Sequence, residues 1–266
     1  MPEVANGPLK LWYAERGAPS GQPVVLLHGL FFSRRLFERL ARRLPGHRML
    51  MLDLRGHGRS SRPTDEGSYT WRLMASDVVA LLDALGIERA VVGGLSLGAN
   101  VTLAVATEAS ERLSGAIVEM PVLEGGRPVA ERVFPAVASI LEASAAVMRP
   151  VGRAAQPFRR TRSPELGALG DFLSLEPTAG AAMLRGLHSD IDTVLEGPQA
   201  LARANVPTMV IAHRHDPLHP LDDARKLVET VSDSELVVMF SQADLRLRPD
   251  RYAVVVGDFL RRLPRG

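Results

Sequence analysis

The chain of 266 residues contains no cysteine. This absence excludes disulfide bonds, thiolate metal sites and a cysteine nucleophile, and it leaves the redox compartment open. Long apolar runs are also missing, because nowhere do about 18 apolar residues follow one another as a membrane span requires. The first ten residues include Glu3 and lack the apolar core of a signal peptide. We therefore expect a soluble, cytoplasmic protein without a membrane span.

Charge of one sign is scarce as well, since 32 basic residues face 30 acidic ones. A formal net charge of +2 is weak evidence for a polyanionic partner. One local excess lies at residues 148–162, which carry five arginines and no acid. This segment has neither interleaved aromatic residues nor a nucleic-acid motif, so we expect no nucleic-acid partner. The segment favours a solvated face, and an anionic substrate or carrier partner is the alternative.

Apolar residues are plentiful, at 46% of a chain long enough for one large α/β domain. Short apolar runs predict strands at 23–29, 47–54, 89–96, 114–121, 207–216 and 234–240, with an antiparallel strand at 9–17 in front. Helical spacing predicts helices at 33–44, 70–86, 97–109, 221–231 and 249–263. This alternation indicates a doubly wound, mostly parallel sheet of about eight strands with helices on both faces.

The alternation breaks once, between Pro121 and Pro198, where helical patterns follow each other without a convincing strand. We interpret residues 1–121 and 198–266 as the core and residues 122–197 as a helical lid inserted after the sixth strand. Such a lid would cover the carboxyl ends of the strands, where open α/β sheets bind ligands. Its stretch 136–148 is rich in small apolar residues, which favours a small apolar substrate.

The stretch GLSLG, residues 94–98, places Ser96 between two glycines at the end of a predicted strand and before a predicted helix. This is the G-x-S-x-G pattern of a nucleophile elbow. Its serine is strained at a sharp turn, and side chains two residues before and after would collide, so glycine is needed there. Ser96 is therefore the candidate nucleophile.

Two further stretches follow predicted strands, HGLFF at 28–32 and DLRGHGRS at 53–60. With GLSLG, in this order, they resemble the α/β-hydrolase family, particularly its lidded esterase, haloperoxidase-like and carbon–carbon hydrolase branches. The resemblance implies an α/β-hydrolase fold with an oxyanion hole made by the backbone N–H groups of Leu30 and Leu97. It also implies that the histidines of the two stretches brace loops.

The family's catalytic acid follows the seventh strand, and the resemblance places it at Asp216 in HRHDPLHP, residues 213–220. A turn or helix-capping aspartate before a proline is the alternative reading of Asp216. Glu119, at the end of the sixth strand, occupies the other position from which relatives supply the acid.

The family pattern fails at its last member, a histidine in the loop after the eighth strand. That loop, residues 241–250, contains no histidine, and none of the seven histidines lies beyond His219. Asp244 occupies the vacant position, with Gln242 as the next candidate. A serine hydroxyl needs a neighbouring base with a pKa near the working pH, and an ordinary aspartate is a weak one.

The histidines of the acid loop are the other candidates for a base. His219 could approach Ser96 from an unusual side, or it could line the pocket or cap the following helix; His213 and His215 are weaker candidates. These histidines do not have the spacing of a metal site, so we expect neither a metal nor a cofactor.

Three functions remain open on this evidence. The first is a hydrolase of a small apolar ester, thioester or lactone, with an incomplete or rearranged triad. The second is a non-hydrolytic enzyme, such as a cyclase, lyase or isomerase, on the same scaffold. The third is a ligand-binding pseudo-hydrolase. The intact glycines favour an enzyme, while the missing histidine argues against ordinary hydrolysis. The oligomeric state is not predicted.

Overall fold

The computed structural model describes residues 2–161, 163–214, 216–239 and 248–264. Eight strands form one sheet in the order β1-β2-β4-β3-β5-β6-β7-β8. The strands are β1 (Glu3–Asn6), β2 (Leu9–Gly17), β3 (Pro23–Leu27), β4 (Arg48–Leu52), β5 (Ala90–Leu95), β6 (Leu113–Glu119), β7 (Thr208–His213) and β8 (Ser234–Met239). The pairs β1–β2 and β2–β4 are antiparallel, and the other neighbours are parallel. The predicted α/β fold with a mostly parallel sheet of about eight strands is confirmed.

The central strands are covered on both faces. Every residue of β5 and β7 is buried, which is why apolar residues follow one another in these strands instead of alternating with polar ones. Two apolar clusters lie on the two sides of the sheet, one against α2 and α3 and the other against α11. The helices are α1 (Glu38–Ala41), α2 (Trp71–Ala84), α3 (Leu97–Ala109), α4 (Arg127–Ala154), α5 (Gln156–Arg159), α6 (Pro164–Leu173), α7 (Pro177–Ser189), α8 (Ile191–Leu195), α9 (Gly197–Ala204), α10 (Leu221–Thr230) and α11 (Pro249–Arg262).

The expected helix over 33–44 is much shorter in the structure. A 3₁₀ turn covers Arg34–Phe37, and α1 is a single turn that ends at Ala41. The cause is a buried carboxylate: Asp53 accepts hydrogen bonds from the backbone N–H and the guanidinium of Arg34. These bonds hold the start of the segment in a tight loop instead of a regular helix.

Helices α4 to α9 connect β6 to β7, and no strand occurs among the described residues between 120 and 207. Helix α4 packs along α7, whereas α8 and α9 pack against α3 beside the sheet. Within the described ranges, α4 is the one helix whose length and apolar composition meet the requirement for crossing a membrane. We refer to residues 122–197 as the helical segment.

Candidate active site

Ser96 lies on the one-residue turn between β5 and α3. Its backbone has φ +51° and ψ −109°, a combination that costs free energy in a residue with a side chain. The turn is held by a hydrogen bond of 2.8 Å from the Ser96 N–H to the carbonyl of Glu119. The strained turn projects the serine hydroxyl beyond the end of the sheet, where it lines a cavity.

The two glycines beside Ser96 are required by close backbone contacts. A Cβ atom at Gly94 would lie 2.3 Å from the backbone carbon of Gly98. A Cβ atom at Gly98 would lie 2.0 Å from the carbonyl oxygen of Leu27. Neither clash can be relieved by rotating a side chain, so any larger residue would displace β3 or α3 from the turn.

His219 faces Ser96 directly. The distance from Ser96 Oγ to His219 Nε2 is 3.0 Å, which is hydrogen-bonding distance. On the other side of the ring, His219 Nδ1 lies 3.1 Å from Asp216 Oδ2. That second contact has an ion-pair distance but not the alignment of a regular hydrogen bond. Ser96, His219 and Asp216 thus form a series of contacts through the imidazole ring, although the aspartate and the histidine are only three residues apart in the sequence.

The loop before α10 holds this histidine through its own backbone. Asp216 Oδ1 accepts hydrogen bonds from the N–H groups of Leu218, at 3.0 Å, and His219, at 3.1 Å. The close contact with the His219 ring, together with these N–H groups, lowers the pKa of Asp216 to about 2. The carboxylate is therefore ionised at neutral pH, and its negative charge faces the imidazole ring.

Two backbone N–H groups belong to Leu97 and Leu30, residues that line the same cavity as Ser96. Leu97 is the first residue of α3, so its N–H is one of the free donors at a helix N-terminus. Leu30 follows Gly29 in the loop after β3 and lines the same cavity. Neither N–H donates to an acceptor in the part of the chain that the structure describes. Both are therefore available to an oxygen atom of a bound molecule.

Two buried histidines fix the loop that contains Leu30. His57 Nε2 accepts a hydrogen bond from the N–H of Phe31, which has φ +62°, and His28 Nε2 accepts one from the N–H of Leu54. Burial lowers the pKa of His28 to about 4 and that of His57 to about 3. Both rings are therefore neutral near pH 7 and act as acceptors for backbone donors.

The cavity above Ser96 is small and apolar. Its volume is about 100 Å³, and it is lined by Leu30, Trp71, Ser96, Leu97, Asn100, Val122, Phe134, Leu184, Leu187, Ile191 and Leu218. The amide of Asn100 is already occupied by the backbone of Val122, as donor and as acceptor. Ser96 therefore supplies the reactive polar group of an otherwise apolar chamber.

Glu119, the alternative acid, lies elsewhere. Its carboxylate accepts a hydrogen bond of 2.9 Å from His213 Nε2 and another from the hydroxyl of Tyr252. His213 thus contacts Glu119 and not Ser96. Sequence analysis missed this cluster, although Glu119 and His213 end neighbouring parallel strands and could have been paired on that ground. Asp244, Gln242 and His215 lie outside the described residues.

No group of three or more histidine, aspartate or glutamate side chains within the described ranges has the arrangement needed to hold a metal ion.

Residues 22–244 match the family model described as the alpha/beta hydrolase fold. The chain belongs to the α/β-hydrolase fold family. It is 30% identical to the AB hydrolase superfamily protein YisY of Bacillus subtilis, over 82% of both proteins. A thermophilic esterase from Thermogutta terrifontis is 25% identical over 97% of both chains, with a TM-score of 0.76. An enol-lactonase from Burkholderia xenovorans shares the fold, with a TM-score of 0.78, 23% identity and coverage of 97% of this chain and 99% of its own.

Proposed function

We propose that this α/β-hydrolase-fold protein is a serine hydrolase of small apolar carboxylic esters, thioesters or lactones. In this proposal Ser96 is the nucleophile, His219 the general base and Asp216 the acid that orients it. The observation that carries the proposal is the 3.0 Å contact between Ser96 Oγ and His219 Nε2. A serine hydroxyl becomes a useful nucleophile when a positioned base of this kind takes its proton.

The reaction begins when Ser96 Oγ attacks the substrate carbonyl while its proton passes to His219 Nε2. The resulting oxyanion accepts hydrogen bonds from the N–H groups of Leu30 and Leu97, which we assign as the oxyanion hole. His219 then returns the proton to the leaving alcohol or thiol, and an acyl ester of Ser96 remains. Asp216 stabilises the imidazolium that exists between these two proton transfers.

Water completes the cycle. It gives a proton to His219 Nε2 as its oxygen attacks the acyl ester, and the same two N–H groups stabilise the second oxyanion. The proton then returns to Ser96 Oγ, and the carboxylic acid leaves. In a lactone the leaving hydroxyl belongs to the same molecule, so a single hydroxy acid is released.

The base in this proposal comes from the acid loop and not from the loop after the last strand. A side chain on the acid loop can reach Ser96 because this loop follows β7, whose carboxyl end lies at the same edge of the sheet as that of β5. Asp216 and His219 form one short turn, so a single segment supplies both the base and its partner. We therefore favour a rearranged triad over an incomplete one.

The substrate class follows from the cavity. Its volume of about 100 Å³ lies below the roughly 300 to 1,000 Å³ of pockets for drug-sized ligands, and its walls are apolar. A short apolar acyl group fits this space, while a charged acyl group would lose its hydration without compensation. We also infer that the helical segment, which supplies Phe134, Leu184 and Leu187 to the wall, acts as a lid.

Hydrolysis of aryl esters with increasing acyl length tests the proposal, with the acyl-enzyme followed by intact-protein mass spectrometry. We expect turnover to be fastest with short acyl groups and a transient mass increase located on Ser96. Ser96→Ala should lose both, whereas Ser110→Ala, just beyond the other end of α3, should lose neither. Hydrolysis that persists in folded Ser96→Ala would contradict the proposal, because Ser96 would then not be the nucleophile.

A further inference from the structure

Helix α4 presents apolar side chains to solvent along most of its length. The exposed fractions are 40% for Val133, 64% for Ile140, 69% for Val147 and 45% for Val151. Spacings of seven, seven and four residues place these side chains on one face of the helix. We call these four residues the α4 stripe.

Another face of α4 packs against α7. Ala138 and Leu141 are buried against α7. Two nearby charged residues of α4 form ion pairs with residues in α7 or at its start. Glu142 forms an ion pair with Arg185 at 2.5 Å, and Arg149 forms one with Glu176 at 3.0 Å. The helix is therefore apolar on its inner face and again on its outer face, unlike an ordinary surface helix.

A second exposed apolar patch lies on the next helices of the same segment. Phe158 of α5 is 44% exposed, and Leu166, Leu169 and Phe172 of α6 are 46%, 46% and 51% exposed. Helices α5 and α6 pack on each other, so these four side chains form one neighbourhood, which we call the α5–α6 patch. Exposed apolar surface concentrated in one segment marks an interaction site.

Exposed arginines in the same segment indicate the charge of the partner that would bind this apolar surface. Arg132, Arg153 and Arg160 are exposed, and within the described ranges no carboxylate pairs with them. In the sequence, Arg132 immediately precedes Val133 of the α4 stripe, Arg153 lies two residues beyond Val151, and Arg160 lies two residues beyond Phe158. The segment that carries the apolar surface thus also carries three exposed arginines that no described carboxylate pairs with.

We propose that the α4 stripe and the α5–α6 patch dock on an anionic lipid surface, with α4 lying in the plane of the interface. An interfacial helix combines an apolar face with basic residues that meet acidic headgroups, and this segment has both features. The same helix does not cross the bilayer in this arrangement, because its inner face stays packed against α7.

A second copy of the chain is a weaker candidate for the occupant. In a two-fold contact through the α4 stripe, each copy would bring its unpaired arginines to the other copy's stripe. Arginines that no described carboxylate pairs with would repel one another across that contact. Acidic lipid headgroups would instead attract these arginines.

Docking would also orient the cavity. Phe134 lines the cavity and is the immediate neighbour of Val133 in the stripe. One helix therefore supplies both the docking face and part of the cavity wall. The docked face would lie close to the chamber that receives an apolar substrate.

Co-sedimentation of the full chain with vesicles tests the proposal independently of catalysis. Vesicles of phosphatidylglycerol and phosphatidylcholine in equal parts are compared with vesicles of phosphatidylcholine alone. We expect binding to the anionic vesicles, weakened by salt, and equal binding by Ser96→Ala. The double variant Ile140→Asp/Val147→Asp should reduce the partition coefficient at least about tenfold.

The matched control is Val254→Asp on α11, because Val254 is a similarly exposed valine, at 61%, outside the proposed surface. It should bind as the unmodified protein does, and circular dichroism should show both variants folded. Three results would overturn the proposal: no binding to anionic vesicles, equal binding to both vesicle types, or self-association that the double variant abolishes without any vesicle binding.

Discussion

Two carboxylate–histidine pairs lie at the same edge of the sheet, and they are used differently. In the first, His219 stands between Asp216 and Ser96, with Nε2 3.0 Å from the serine oxygen. In the second, His213 turns Nε2 toward Glu119 at 2.9 Å, and its buried Nδ1 has no hydrogen-bond partner in the described part of the chain. Both pairs consist of a carboxylate and a histidine. In the first pair Nε2 contacts the serine, whereas in the second pair Nε2 contacts the carboxylate.

The second pair closes on itself through Tyr252, whose hydroxyl also donates to Glu119. Burial and the neighbouring carboxylate raise the pKa of Tyr252 well above its ordinary value. The three side chains join the ends of β6 and β7 to α11, and none of them lines the cavity above Ser96. We infer that the Glu119 cluster stabilises the fold, whereas the Asp216–His219 pair performs chemistry.

Removing the two histidines in turn should separate these roles most strongly. Under the proposed function, His219→Ala leaves the serine without a base, so kcat for an aryl ester should fall by about 10⁶-fold, the loss that a serine protease shows without its catalytic histidine. His213→Ala should retain kcat within about tenfold, because its ring does not touch Ser96. Steady-state kinetics on both purified variants provides the measurement. A similar loss in both variants would contradict the assigned roles.

Neutralising the two acids should give the next largest contrast. Asp216→Asn would favour the wrong tautomer of His219, and a decrease in kcat of about 10⁴-fold is expected. Glu119→Gln should leave kcat near that of the unmodified protein. Asp222→Asn, an exposed change on α10, is the control for altered charge near the loop. If Glu119→Gln proves the more damaging to kcat, the acid has been assigned to the wrong pair.

The Glu119 cluster should reveal itself in stability. Tyr252→Phe leaves a buried carboxylate oxygen without its donor and should cost about 1 to 3 kcal/mol of the free energy of unfolding. Tyr69→Phe removes a hydrogen bond to the neutral carbonyl of Pro63 and should cost less. Urea denaturation compares the two, and kcat should change in neither. An equal or smaller cost for Tyr252→Phe would argue against a stabilising cluster.

The smallest effect is a pH dependence at Asp216. Its pKa is lowered from 3.8 to about 2 in the folded protein, so the ionised carboxylate stabilises the fold above pH 3.8 and this contribution is lost as pH falls toward 2. The difference in unfolding free energy between the unmodified protein and Asp216→Asn should have its full value just above pH 3.8 and shrink as pH falls toward 2. Urea titrations at several pH values test this, and a difference that grows on acidification would contradict the pKa.

The sequence predicted those helices and strands that are determined by their own and adjacent residues. The expected helix at 97–109 matches α3, and the expected strand at 9–17 matches β2, because apolar spacing and end signals suffice there. The expected helix at 33–44 was wrong because the start of this segment is fixed by Asp53, which lies outside it, 19 residues from Arg34. Tyr252 was missed for the same reason, since 133 residues separate it from Glu119.

The sequence alone did not favour one candidate base, and the proposal of His219 depends on its position in the structure. His219 and Asp244 were both candidates, and the choice depends on the path of the loop after β7. That path is set by two backbone N–H bonds to Asp216, which turn the histidine back toward Ser96. The spacing of Asp216 and His219 in the sequence allows such a turn. It does not determine the direction in which the His219 side chain points.

The central claim is that His219 activates Ser96, and the rate of covalent labelling by a fluorophosphonate tests it most directly. The probe reacts with the serine itself, so substrate fit and product release do not enter the measurement. We predict that the unmodified protein and His213→Ala label at Ser96 at similar rates, while His219→Ala labels about 10² to 10⁴-fold more slowly. Labelling of folded His219→Ala at the rate of the unmodified protein would contradict the account.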